Sequence, residues 1–199
     1  MITTPVDMGA LKRAKVGIAG AGGLGSNCAM ALARAGVGTL FIVDMDNVEK
    51  SNLNRQAYDV KQVGRPKVEC LKENILRAVP DCNVMVRNIR YKKGMSLELF
   101  GDCDVVVEAF DRSQTKAMFI EDVLKNMPGK GIVAASGLAG IGGNSLIKTV
   151  KIGNLFIVGD GKTEAVEGVP LLAPRVVAVA SLQANVVLSI ILGDKEVIS

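Results

Sequence analysis

The sequence predicts a doubly wound α/β fold, a mostly parallel sheet with a C-terminal antiparallel extension, and three observations carry that prediction. Apolar runs bounded by Gly, Pro and acidic residues alternate with helical segments through the first two thirds of the chain. The run Lys15–Ala19 feeds directly into Gly20-Ala21-Gly22-Gly23-Leu24-Gly25, a strand–turn–helix sequence. Near the end, Gly153-Asn154 separates two short apolar runs as a hairpin turn does.

In chain order, strands are expected at Lys15–Ala19, Thr39–Asp44, Asn83–Ile89, Val105–Ala109 and Ile132–Ser136. Helices fall between them at about Leu24–Ala35, Arg65–Val79, Ser96–Phe100 and Gln114–Asn126. The hairpin takes Ser145–Ile152 and Leu155–Val158, and a long buried helix runs from about Pro174 to Leu192, its apolar run interrupted by Ser181, Gln183, Asn185 and Ser189. Pro170–Pro174, with Gly159–Gly168 before it, is expected to be a mobile loop. With no repeat or linker, the 199 residues are expected to form one domain, 1–199.

Composition narrows the function. The charge of +4 is scattered rather than gathered into a stripe, and aromatics make up 4% with no Trp, so no nucleic-acid partner is expected. Neither a signal-type apolar region nor an uninterrupted membrane-spanning run is read, so no membrane partner is expected. Cys28, Cys70, Cys82 and Cys103 stand apart with no C-x-x-C pair, which points to a reducing, cytoplasmic setting and away from a cysteine zinc site. The chain has no His, so catalysis must run on Lys, Arg, Asp, Glu and backbone amides.

Gly20, Gly22, Gly23 and Gly25 satisfy G-x-G-x-x-G, which lets a backbone approach phosphate at a helix N-terminus and makes the fold Rossmann-like. Asp44 ends the next strand about 20 residues on, where a carboxylate can take ribose hydroxyls. An adenine nucleotide is expected, but NAD, FAD, S-adenosylmethionine and ATP all use such a cradle. The polar segment Met45 to Gln56, the Gly64-Arg65-Pro66-Lys67 turn with Pro66 suited to the first turn of a helix, and Asp111 at a strand end and helix start supply two cations and a hard-oxygen ligand. That set suits a triphosphate with Mg²⁺: Arg55 and Lys67 on phosphate, Asp111 on the metal. Taken singly, each has an ordinary reading as a loop charge, a helix-surface lysine or an N-cap.

With Gly20–Ser26, Asp44-Met45-Asp46, Ser51-Asn52-Leu53-Asn54-Arg55-Gln56, Gly64-Arg65-Pro66-Lys67 and Asp111, the sequence resembles the ThiF/MoeB/HesA family, relatives of the ubiquitin-activating enzymes. The resemblance runs from about Ala10 to Leu192, and the short chain looks most like the short ThiF proteins. It implies ATP-dependent adenylylation of the C-terminal carboxylate of a small ThiS-type sulfur carrier ending in Gly-Gly, in thiamine thiazole biosynthesis, by a homodimer. It also implies that Gly23, Asp44, Ser51, Asn52, Arg55 and Lys67 contact ATP, with Asp46 and Gln56 nearby, Asp111 on Mg²⁺ and Arg112 beside it. The chain departs from longer relatives in its missing C-x-x-C pairs, in having no Cys after Cys103, and in the brevity of the segment before the first strand, where longer relatives carry an arginine that Lys12 and Arg13 are not expected to replace. Other substrates, among them a molybdopterin-type carrier, a small molecule or a modified tRNA base, and an NAD-dependent oxidoreductase remain as alternatives.

Overall fold

The structure is a computed structural model describing residues 6–193; residues 1–5 and 194–199, the ends of the expected domain, lie outside the described part. A short helix α1 (Met8–Arg13), capped by the Asp7 carboxylate on the Ala10 amide, precedes β1 (Lys15–Ala19). Then come α2 (Gly23–Arg34), β2 (Thr39–Asp44), α3 (Lys67–Ala78), β3 (Asn83–Asn88), α4 (Ser96–Phe100), β4 (Val105–Glu108), α5 (Ser113–Asn126), β5 (Gly131–Ala135), β6 (Lys148–Ile152), β7 (Leu155–Gly159) and α6 (Ala173–Leu192). The seven strands form one sheet in the order β3-β2-β1-β4-β5-β7-β6. All neighbours are parallel except β6 against β7, which is the antiparallel extension expected from Gly153-Asn154.

The order reverses beside β1, between β2 and β4, and the crevice outside the carboxyl ends of strands at such a point is where open α/β sheets bind ligands. Helices on both faces explain the near-continuous apolar runs of β1, β4 and β5. On one face Leu32, Leu40, Ile42, Leu71, Ile75, Val179 and Val187 are buried together. On the other, Phe100, Phe119, Tyr91 and Phe110 pack in tilted and edge-to-face contacts with centroids 5.0–5.9 Å apart. Gly17 of β1 makes room for that cluster, since a Cβ there would lie 2.5 Å from the Phe100 ring.

Most boundaries move by one or two residues from the sequence reading, and four differences have physical causes. The helix expected from Arg65 starts at Lys67, because Gly64–Lys67 instead pairs antiparallel with Asp46–Val48. Pro66 is therefore the extended N-cap of α3 rather than a residue of its first turn. The strand expected from Ser145 begins only at Lys148, because Gly142 and Gly143 take left-handed φ values of 68° and 62° and wind Asn144–Leu146 into a 3-10 turn. Asp111 does not start a helix: the N-cap of α5 is Arg112, and no side chain caps it. Helix α1 was not anticipated, being too short for a periodic pattern.

Helix α6 is long and apolar enough, by length and composition, to cross a membrane, yet half of its most apolar window is buried in the fold. It also buries Arg175 and Gln183 inside the protein, as a core helix does. Arg175 holds the loop expected to be mobile: its guanidinium bonds the Gly142 carbonyl and lies 2.7 Å from Asp160, and the Gly140 amide reaches the Pro170 carbonyl at 2.9 Å. Burial opposes ionisation of Asp160, but the Thr163 and Lys162 amides, the Thr163 hydroxyl and Arg175 outweigh it and hold the carboxyl down to about 2. A depressed carboxyl pKa stabilises above the unfolded value, and that stabilisation is lost as pH falls through the folded one. Asp160→Asn is therefore expected to melt well below the wild type above pH 4, the gap in Tm closing as pH is lowered toward 2; thermal melts across that range check it.

Candidate active site

The site begins at the turn after β1. Gly20 has φ +105°, and a Cβ there would lie 2.6 Å from the Ala109 carbonyl oxygen; at Gly25 it would lie 1.9 Å from the Gly20 oxygen. These two glycines let the turn fold tightly onto itself and onto the end of β4. Gly22 is the N-cap of α2 and has no side-chain cap, so the first-turn amides of α2 are left for a ligand.

The segment after β2 is buckled to this turn by three side chains that sequence reasoning missed. Ser26 Oγ donates to the Gly22 carbonyl and accepts from the Ala57 amide, at 2.6 and 3.1 Å. Asn27 Nδ2 donates to the carbonyls of Gly23 (2.6 Å) and Arg55 (2.9 Å). The buried Tyr58 hydroxyl donates to the Ala21 carbonyl at 2.7 Å. Burial first, and then the Asp44 charge, push the Tyr58 phenol above its ordinary pKa, so it stays a donor. Polarity in the first turn of α2 was the only signal for Ser26 and Asn27; nothing local marks Tyr58. Tyr58→Phe leaves the Ala21 carbonyl unpaired and is expected to lower stability by about 1–3 kcal/mol, read as a lower denaturant midpoint at unchanged m-value.

Asp44 sits at the end of β2 and reaches back to the turn. It accepts the Ala21 amide at 2.6 Å and the Asp46 amide at 2.7 Å, which leaves each carboxylate oxygen acceptor capacity toward the crevice. Burial raises its pKa, against the pull of those amides and of Lys67. Lys67, first residue of α3, has a side chain only 8% exposed, and its Nζ lies 3.0 Å from the half-exposed Asp46 carboxylate. Among the described residues Asp46 is the only side-chain partner of that ammonium, which has three donors.

Ser51 and Asn52 form a 3-10 turn, and part of their polarity is spent there: Asn52 Oδ1 accepts the Glu49 amide at 3.2 Å, and Ser51 Oγ donates to Glu49 at 3.2 Å. Arg55 is half-buried beside the turn, where a Cβ on Gly23 would lie 3.6 Å from its Cγ. One guanidinium nitrogen bonds the Ser51 carbonyl and Asn54, at 3.1 and 2.8 Å. Gln56 is buried with Oε1 lacking any partner, and its Nε2 would lie 3.9 Å from a Cβ on Gly22. That oxygen can accept from a hydroxyl or amine of a ligand, as it cannot from phosphate oxygens. Asp111 and Arg112 are exposed on the turn after β4, and Asp111 makes no hydrogen bond among the described residues.

The residues expected at the site thus lie in the connections that follow three adjacent strands, β2, β1 and β4, or at the first residue of α3. Arg55 lies beside the uncapped α2 N-terminus, Asp44 is tied to the turn through the Ala21 amide, and Lys67 acts on Asp44, so two cations and a helix dipole end suited to phosphate are brought together, with Asp111 and Arg112 exposed on the turn after β4. No group of three or more His, Cys, Asp or Glu forms a metal cage among the described residues. Mg²⁺ bound through one carboxylate, phosphate oxygens and water needs none, and the single free carboxylate of Asp111 fits it. Two surface hollows lie elsewhere: one of about 390 Å³ is lined by Ala14, Asp104 and Ile190, the other, of about 400 Å³, by Lys15, Phe41 and Leu97. All four cysteines are buried and free, and burial pushes the Cys28 and Cys103 thiols up to about 12, so neither is a ready nucleophile.

Comparison with known proteins identifies relatives of the chain. The model of the ThiF family matches residues 3–199. The adenylyltransferase and sulfurtransferase UBA4 of Candida glabrata is 38% identical over 147 residues, which cover 73% of this chain and 34% of that protein. The tRNA threonylcarbamoyladenosine dehydratase of Bacillus subtilis is 37% identical over 117 residues, 58% of this chain and 46% of that protein. The chain thus spans a third to a half of the length of these relatives. Among solved structures, the Escherichia coli tRNA N6-threonylcarbamoyladenosine dehydratase TcdA in complex with AMP superposes with a TM-score of 0.83 at 22% identity, over 94% of this chain and 89% of that one, a likeness of fold.

Proposed function

The chain belongs to the ThiF family, and from that premise we propose that it is an ATP-dependent adenylyltransferase acting on the C-terminal carboxylate of a ubiquitin-like sulfur carrier of the ThiS type, in thiamine thiazole biosynthesis. The observation that supports the reading is the uncapped α2 N-terminus with Arg55 and Gln56 beside it, Asp44 tied to the same turn, Lys67 acting on Asp44, and Asp111 on the turn after β4.

In the proposed reaction a carboxylate oxygen of the carrier attacks the α-phosphorus of ATP. The bond from that phosphorus to the bridging oxygen breaks, its electron pair leaves with pyrophosphate, and an acyl-adenylate remains. The attacking carboxylate is already ionised and the leaving group departs without a proton, so the reaction asks for no general acid or base and suits a chain without His. What it asks for is charge stabilisation and alignment, from Arg55, Lys67 and the α2 amides. Asp44 is the group for ribose hydroxyls, Ser51 and Asp46 brace the Arg55 and Lys67 side chains, and the Asn52 carbonyl accepts the Arg55 amide. Asp111 would hold Mg²⁺, which supplies neutralisation of the phosphate charge when bound. We assign the whole chain to one catalytic domain, acting as a cytoplasmic homodimer.

Incubation with ATP, Mg²⁺ and carriers ending in Gly-Gly, read by mass spectrometry for an AMP adduct and by ATP–pyrophosphate exchange, tests the reading. Exchange that depends on a carrier supports it, and absence of adduct and exchange with every such carrier refutes it. A second reading, adenylylation of a modified tRNA base, is favoured by the likeness to tRNA threonylcarbamoyladenosine dehydratases. ATP turnover that depends on tRNA and not on a carrier decides for it.

A further inference from the structure

Glu108, the last residue of β4, is fully buried, and sequence reasoning did not single it out. A carboxylate there demands partners, and it has them. Lys116 of α5 reaches both oxygens, at 3.1 and 2.8 Å, and the Phe110 amide donates to Oε1 at 2.7 Å. The strand is fixed from the other face as well. Gln183 of α6, itself fully buried, donates through Nε2 to the Glu108 carbonyl at 3.2 Å and to the Val133 carbonyl at 3.3 Å.

These bonds fasten both ends of a four-residue turn. Phe110, its second residue, and Lys116 in the opening turns of α5 are tied to one carboxylate, and Asp111 and Arg112 lie between them. The turn abuts the phosphate cradle: the Ala109 amide bonds the Ala19 carbonyl at 2.8 Å, and the Ala109 oxygen is the atom that forbids a side chain at Gly20. Asp111 itself has no hydrogen bond among the described residues, so nothing local orients it except the backbone that carries it. A misplaced ligand weakens a metal site even when the ligand is present, which is how partners behind the ligands come to matter.

We propose that Glu108, held by Lys116, is a positioning residue that aims the Asp111 carboxylate at the divalent cation carried by the nucleotide. The inference rests on the functional reading above and adds to it a residue that touches neither nucleotide nor metal. An ion pair serving only to fill the core can be replaced without consequence at a distance; this one transmits to the cation site.

Calorimetric titration of ATP into the protein, in EDTA and over a range of Mg²⁺ concentrations, tests it with Glu108→Gln and Lys116→Met. Glu108→Gln keeps the length and removes the charge; Lys116→Met leaves the buried Glu108 without its cation and is the more destabilising change, so thermal melts first establish that each variant is folded. For either variant the ATP affinity in EDTA is expected to match the wild type, while the Mg²⁺ concentration that gives half of the metal-dependent gain rises about 10–100-fold. In an Asp111→Asn background the same substitutions are expected to add nothing. A folded variant with wild-type Mg²⁺ dependence, a loss of equal size with and without Asp111, or a loss of affinity already present in EDTA overturns the positioning role. Failure of the unmodified chain to bind ATP at all overturns the functional reading, and this inference with it.

Discussion

Lys67→Ala is expected to slow ATP–pyrophosphate exchange by about 10²–10³-fold, the loss that follows removal of one preorganised group from a developing charge. The side chain is 8% exposed and its ammonium lies beside Asp46, so two roles are open to it. It can act on phosphate, or it can serve Asp46 as a structural counter-ion. Asp46→Asn separates them. Asp46 is half-exposed, and an exposed partner contributes no more than about 1 kcal/mol. If Lys67 acts on phosphate, Asp46→Asn keeps exchange within several-fold of the wild type, because the ammonium stays where the α3 N-terminus puts it. If the two substitutions slow exchange equally, the lysine works through Asp46 and its assignment falls. Both proteins are compared by initial exchange rates at saturating carrier, with thermal melts to exclude loss of fold.

How far the site could be read from residues alone depends on whether its interactions are local. β1, β4 and β5 are legible because helices cover both faces, so each reads as an unbroken apolar run. The glycine turn is legible because a close backbone approach leaves one permitted residue type at Gly20 and Gly25. The polar segment around Arg55 announces itself by composition, but composition does not say which side chains face the crevice. Asn52 proves to be spent on the Glu49 amide, while Gln56, a less conspicuous residue, holds an orphan acceptor beside the turn. Arg65 and Pro66 read as the start of a helix because the competing pairing with Asp46–Val48 is made across the chain. Glu108 is the extreme case. In Val-Val-Val-Glu it reads as the polar end of a strand, and its meaning lies in Lys116 on the following helix and in Gln183, 75 positions away. Tyr58 and Ser26 were hidden for the same reason: their partners are carbonyls and amides of a turn brought up by the fold.

Asp111→Asn is the second substitution with a large expected effect, about a 10²-fold loss of exchange at millimolar Mg²⁺, with part of the rate recovered as Mg²⁺ is raised. The structure sharpens this expectation by removing the ordinary explanation of the residue. An acid just before a helix commonly caps it, and removal then lowers stability. Here the N-cap is Arg112, no side chain caps α5, and Asp111 is exposed with no hydrogen bond among the described residues. Its replacement by an isosteric amide is therefore expected to change stability by no more than about 0.5 kcal/mol. A carboxylate with no structural task is either idle or waiting for a ligand, and the two cases differ in one measurement. Exchange rates of Asp111→Asn across a Mg²⁺ series, beside a thermal melt, give an unchanged Tm in both. A wild-type rate at every Mg²⁺ concentration makes the residue idle. A rate depressed at low Mg²⁺ and rising with it places the cation at the end of β4, within reach of the phosphates that the β1 turn would hold.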